Sequence, residues 1–182
     1  MSKFLPTAAD HFNNIPIAEK RLEISVEGYY ISNQISNILR QSNDNELGGC
    51  GLVIDYGKDT FTGDTIRGFK NHQQVDVLSN PGNCDITSDV DFALLKQALN
   101  VNKENENKTY PSKLLTQREF LLNMGLGPRL NTLLNNAKSI ESKKSIAQSA
   151  KRLIDVNGMG SQYKFLSIIS NLNKFNTYPF QY

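Results

Sequence analysis

Three aspartates, Asp85, Asp89 and Asp91, fall within the stretch NPGNCDITSDVDF at positions 80–92. Carboxylates this close together can ligate a hard cation, grip a guanidinium with two oxygens, or cap a helix. The calcium-loop reading fails on spacing. With Asp85 as the first loop position, Val90 stands where a glycine must make the turn and Lys96 where a bidentate glutamate is needed. Counting from Asp89 instead puts Ala93 at a ligand position. No metal is expected here. Ser88 and Asp91, three residues apart ahead of the run DFALLKQAL, match a capping box, and Asp89 would sit in the first helical turn, where the dipole favours an anion. Asp85 lies outside that cap and is the carboxylate that helix capping leaves unexplained.

Other reactive types are sparse. Asp55 and Tyr56 end the apolar run CGLVIDYG, and Arg67 and His72 lie on the long polar connection that follows it. For Asp55 a turn-capping role stands beside a functional one. Cys50 and Cys84 are the two cysteines, with no CxxC pair, so neither a disulfide scaffold nor a zinc site has its usual spacing. A Cys–His nucleophile with His11 or His72 has no local signature behind it. Thr116 and Gln117 read as a helix N-terminus, and Met159 in the GMG triplet as packing in a tight turn.

These residues need elements to position them. The chain has 182 residues, enough for one domain with a real core, and a formal charge of +2 from 20 basic and 18 acidic residues. So balanced a charge makes no case for nucleic acid, and no apolar run is long enough to cross a bilayer. RLEISV at 21–26 alternates as a half-buried strand would. Residues 29–40 place Ile31, Ile35, Ile38 and Leu39 at helical spacing. The run CGLVIDYG suits a strand buried on both faces of a parallel sheet, which would put Asp55 and Tyr56 at the carboxyl edge where open α/β sheets bind ligands. Further helices are expected at DFALLKQAL, across 115–137 with a break near Gly125–Pro128, and at ESKKSIAQSAKRLID, with a closing strand at YKFLSIIS. The class is α/β with a Rossmann-like layer. No glycine-rich turn joins an early strand to a helix in the manner that cradles a nucleotide; the glycines at 48–51 precede a strand.

Five blocks in order, GLVIDYG, DTIRGFKNH, PGNCDITSDVDF, LTQREFLLNMGL with RLNTLL, and RLIDVNGMGSQYKFLS, resemble the MidA family. The likeness runs from about Gly48 to Ser167 and continues more weakly upstream from Arg21. It implies a class I methyltransferase fold with S-adenosylmethionine as methyl donor. It also implies symmetric dimethylation of an arginine on a protein substrate, a respiratory complex I subunit, in the mitochondrion. The family's glycine-rich cofactor turn, acidic ribose-binding residue and Phe-Asp-Ala-Leu-Pro-type strand end have no counterpart in these 182 residues. The expectation is therefore a single incomplete domain, 1–182, corresponding to the C-terminal half of the enzyme, without a cofactor-binding half or transit peptide. A non-catalytic module that keeps a partner-binding surface is the alternative.

Arginine methylation needs a nitrogen lone pair that a guanidinium, with a pKa above about 12, does not readily offer. Carboxylates that bind the fork, localise its charge and accept the released proton assist. By position, Asp85 and Asp89 are expected to line the substrate side with Asp55 in support. Arg67 and His72 are expected to position an acidic peptide or the loop itself.

Overall fold

A computed structural model describes residues 23–40, 48–60, 63–79, 81–99, 108–170 and 176–182. The chain is mixed α/β, as expected, with helices flanking a central sheet. The first element, helix α1 (Val26–Arg40), begins earlier than its apolar spacing suggests. The strand expected at 21–26 is not formed over its described part: residues 23–25 carry no regular structure and Val26 is already helical, while Arg21 and Leu22 lie outside the described residues. The reason is local. Ser25 Oγ accepts the Gly28 N–H at 3.0 Å, an N-cap that starts the helix.

The sheet is built on β1 (Cys50–Lys58) and β8 (Tyr163–Ile169), which pair antiparallel from Cys50↔Ile169 to Tyr56↔Tyr163. The short strands β6 (Tyr110–Pro111) and β7 (Leu115–Thr116) pair with β8 on its other side. At the opposite end β5 (Val90–Asp91) runs parallel to β1 for two residues, Gly57↔Val90 and Lys58↔Asp91. The expectation that β1 is buried on both faces of a parallel sheet is thus corrected. Its main partner is antiparallel, and helices cover one face. Gly51 and Val53 face α1 and the core, whereas Leu52 and Ile54 on the other face are 49% and 48% exposed.

Packed on the covered face is α2 (Phe92–Leu99). Phe92, Leu95 and Leu99 meet Leu166 and Ile168 of β8, with Ile35, Leu39 and Val53 closing around them. The buried stripe of α1 runs through Ser32 and Ser36, leaving Ile31 and Ile38 exposed. Small residues let the helices approach. Ser36 Oγ then donates to the Leu99 carbonyl at 3.2 Å, and Asn33 Nδ2 donates to that of Ala98 at 3.3 Å. These bonds, with one from Thr109 Oγ1 to the Leu99 carbonyl at 3.0 Å, satisfy carbonyls at the end of α2.

The cap of α2 differs from the box expected. Asp91 is itself the N-cap, its Oδ1 accepting the Leu94 N–H at 2.9 Å. Pairing of Val90 and Asp91 with β1 holds them extended, so the helix cannot start as early as Ser88, and Asp89 precedes it. The long connection after β1 contains a second sheet, β3-β2-β4. It consists of β2 (Arg67–Lys70), β3 (Gln73–Val75) and β4 (Asp85–Thr87). Asn71 and His72, both at positive φ (49° and 61°), form the two-residue turn between β2 and β3.

Helix α3 (Gln117–Asn123) carries the expected N-cap at Thr116, as a full capping box with Glu119. Its break from α4 (Leu126–Asn136) comes at Gly125, and Pro128 lies in the first turn of α4, where no intrahelical N–H is needed. Helix α5 (Ile140–Ile154) is capped by Ser139 and followed by the four-residue α6 (Met159–Gln162). The glycine that the GMG triplet requires is Gly160. A Cβ there would lie 2.4 Å from the backbone carbonyl carbon of Ile154.

Two substitutions test this packing in urea unfolding followed by circular dichroism. Phe92→Ala, at a fully buried site, is expected to cost about 3–5 kcal/mol. Gly160→Ala is expected to cost about 1–3 kcal/mol by pressing α6 off the end of α5.

Candidate functional site

The carboxyl end of β1 opens into a cavity of about 640 Å³. Tyr56, Gly57 and Lys58 form one wall, Arg67, Phe69 and Thr87 of the second sheet another, and Ser161, Gln162 and Lys164 the third. This is the edge at which α/β sheets bind ligands. Gly57 is required by a close approach: a Cβ would lie 2.0 Å from the Val90 carbonyl oxygen. That contact brings β5, and with it Asp89, against the end of β1.

Asp89 is held from several sides. Its carboxylate pairs with the Arg67 guanidinium, and its N–H donates to Thr65 Oγ1 at 3.0 Å. Thr65 in turn donates its N–H to Glu23 Oε1 at 2.6 Å and its hydroxyl to Glu23 Oε2. Asp89 also borders a second cavity of about 600 Å³ between α1, β5 and α2, lined largely by apolar residues such as Ile35, Val53 and Leu94. Arg67 Nε is buried with no acceptor among the described residues.

Beside the cavity the Tyr163 hydroxyl donates to Tyr56 Oη at 2.6 Å, with ring centroids 4.2 Å apart. That hydrogen bond, together with burial and the charges of Tyr56 and Asp55, pushes Tyr163 up to about 12. Lys164 donates to the Ser161 carbonyl. Burial lowers its pKa and the neighbouring Lys58 charge adds to that, against the pull of Glu119 and Asp89.

The residues singled out in the sequence divide clearly. Arg67 and Asp89 meet in the cavity. Asp85 sits on β4 opposite Phe69, on the sheet face that carries Arg67, Phe69 and Thr87. It is exposed, and its carboxylate has no hydrogen bond or ion pair among the described residues. Asp55 is outside the cavity wall, on the strand face turned toward α1 and α2, where its Oδ1 accepts the Tyr56 N–H at 2.7 Å. His72 is exposed at the hairpin tip, in the turn beyond the Lys70–Gln73 pair. Tyr56 lines the cavity at the edge where it was expected, whereas Lys58, Lys164 and Phe69 are cavity residues that sequence reasoning passed over. The β1–β8 register, which no local pattern encodes, sets Tyr56 opposite Tyr163 and Asp55 opposite Lys164.

The carboxylates that β5 brings to the end of β1, Asp89 and Asp91, are not free to hold the methyl donor expected from the resemblance. A ribose diol needs a free carboxylate acceptor. Asp89 is committed to Arg67 and Asp91 to the helix cap, while Val90 fills the space beside Gly57. Nor does any group of three His, Cys, Asp or Glu side chains suited to a metal occur among the described residues.

The tyrosine pair gives a direct test by alkaline absorbance titration. A tyrosine ordinarily ionises near 10. Because folding raises Tyr163, its contribution to stability is complete below about pH 10 and is lost as pH rises toward 12. Tyr56→Phe is expected to shift this late-titrating phenol down toward the ordinary value, and Tyr163→Phe to remove it from the titration.

Residues 1–109 match a family model of S-adenosyl-L-methionine-dependent methyltransferases. The protein arginine methyltransferase NDUFAF7, mitochondrial, of Xenopus tropicalis is 36% identical over 135 residues, covering 74% of this chain and 30% of that protein. Its Danio rerio counterpart is 34% identical over 154 residues, 84% of this chain and 33% of that protein. The chain thus spans about a third of the length of these relatives. In fold it is similar to a Burkholderia thailandensis protein crystallised with S-adenosyl-homocysteine. The TM-score is 0.60 at 22% identity, over 79% of this chain and 35% of that one. With more than half of its residues inside the family model, and motifs of the MidA type in order, the chain belongs to the S-adenosyl-L-methionine-dependent methyltransferases.

Proposed function

We propose that this chain forms the substrate-facing part of a protein arginine methyltransferase of the mitochondrion. Its substrate is a complex I subunit, on which it supports symmetric dimethylation of an arginine. The observation that carries this reading is the 34–36% identity to proteins named as arginine methyltransferases over most of the chain. The chemistry of the second sheet supports it. A guanidinium stays charged near neutral pH and is recognised by carboxylates that take its N–H groups in pairs. Asp85 is the carboxylate with that capacity free. Asp89 acts through Arg67, fixing the guanidinium that shapes the cavity, and Asp55 steadies the end of β1. His72, at the hairpin tip, has a place at the outer margin of a long peptide.

In this proposal the 182 residues are one incomplete domain, and the turn that cradles the methyl donor belongs to sequence outside them. S-adenosylmethionine, when bound there, supplies the methyl group. This chain's residues orient the acceptor nitrogen and hold its charge. The second reading, a non-catalytic module with a retained partner surface, is favoured by the commitment of Asp89 and Asp91 to internal bonds.

Two measurements decide between them. Titration of S-adenosylmethionine into the purified chain, followed calorimetrically, is expected to give no saturable heat; saturable binding would place the cradle within these residues after all. A chimera joining the N-terminal part of the Xenopus tropicalis relative to this chain is expected to bind the donor and methylate arginine, read by mass spectrometry. Asp85→Asn in the chimera should lower methylation about 10–100-fold while leaving donor binding unchanged. A chimera that binds the donor yet leaves arginine unmodified supports the non-catalytic module.

A further inference from the structure

We propose that the cavity at the carboxyl end of β1 receives an acidic side chain of the protein substrate, two residues from the arginine to be modified. This rests on reading the second sheet as substrate-facing, and it adds a sequence preference to that reading.

The charges that line the cavity are Lys58, Arg67 and Lys164 against Asp89. Arg67 and Asp89 cancel each other. Two ammonium groups remain. Lys58 has no hydrogen bond or ion pair among the described residues, and Lys164 is bonded to the neutral Ser161 carbonyl. The two are close enough for the Lys58 charge to lower the Lys164 pKa. Such a cavity repels a guanidinium and attracts a carboxylate. Arg67 Nε is buried without an acceptor and is closed to the cavity, so the two ammonium groups are what an incoming carboxylate meets. Phe69 and Tyr56 give flat walls for the methylene stem of a glutamate.

Spacing fixes the relation to the arginine. Thr87 lines the cavity, and Asp85 lies two residues away on the same face of β4. Two strand residues span about 6–7 Å, which is also the separation of same-side residues i and i+2 in an extended peptide. A guanidinium at Asp85 therefore sets the residue two positions along at the cavity.

The test is fluorescence anisotropy on the 182-residue chain without methyl donor, at low salt. The probes are labelled Ala-Gly-Arg-Gly-Glu-Gly-Ala and the same peptide with Gln for Glu. The Glu peptide is expected to bind about tenfold more tightly. Lys58→Gln with Lys164→Gln should reduce the preference to less than about twofold, while Lys58→Arg keeps it. If the change at Lys164 disturbs β8, as judged by circular dichroism, Lys58→Gln alone at its exposed position should still cut the preference at least about threefold. Equal binding of the two peptides, or a preference undiminished in the variants, overturns the proposal. So does displacement by inorganic phosphate with no Glu-over-Gln preference, which marks a site for any small anion. The methylation readout of the chimera is scored separately. Methylation without a Glu preference sinks the acidic site alone, and a Glu preference without methylation sinks the enzymatic reading alone.

Discussion

The antiparallel pairing of β1 with β8 is the constraint on which the rest of the structure depends. Seven residue pairs lock a strand near the start of the described chain to one near its end. That pairing presents Leu166 and Ile168 to α2 and sets Tyr163 beside Tyr56. It also carries Lys164 to the rim where Lys58 emerges. A slip of one residue would turn Leu166 and Ile168 away from the core and separate the tyrosines. Core and cavity thus share one register. Gly57 adds a steric condition, since its missing side chain lets Val90 dock and brings Asp89 within reach of Arg67.

Much of the scaffold was legible because its signals are local. The helices at 92–99, 117–123, 126–136 and 140–154 follow from apolar spacing and from the cap at Thr116. What failed were inferences that depend on distant partners. The apolar run of β1 reads alike whether its neighbour is parallel or antiparallel. RLEISV failed for a local reason instead: it alternates, but the Ser25 hydroxyl claims the Gly28 amide and begins a helix. The capping residue of α2 moved from Ser88 to Asp91 because β5 pairs with β1, a contact 33 residues away in sequence between Gly57 and Val90.

The site shows the same division. Asp85, Asp89 and Arg67 were visible as residue types at suggestive spacing, and the second sheet does bring Arg67 and Asp89 together. Their partition into a free and a committed carboxylate was not visible, because it depends on Arg67 lying across from Thr87 on a neighbouring strand. The lysines were hidden for a different reason. A lone lysine in a strand normally reads as a solvated edge, and two become a charged cavity only when strand ends converge. The carboxylate cluster drew attention to negative charge, whereas the cavity wall carries an excess of positive charge.

The exposed side of β1 has a consequence for how the protein behaves in solution. From Cys50 to Tyr56 the strand is paired with β8, and no second partner flanks it among the described residues. The bare row of amides and carbonyls runs beside Leu52 and Ile54, so hydrogen-bonding capacity and apolar surface coincide on one rim. Such a rim is a template for whatever extended chain meets it first. During synthesis or at high concentration, two copies meeting edge to edge compete with any productive partner strand. The fate of the protein then becomes a matter of timing: the strand that arrives first determines whether the sheet is closed by a fitting partner or grows into an aggregate.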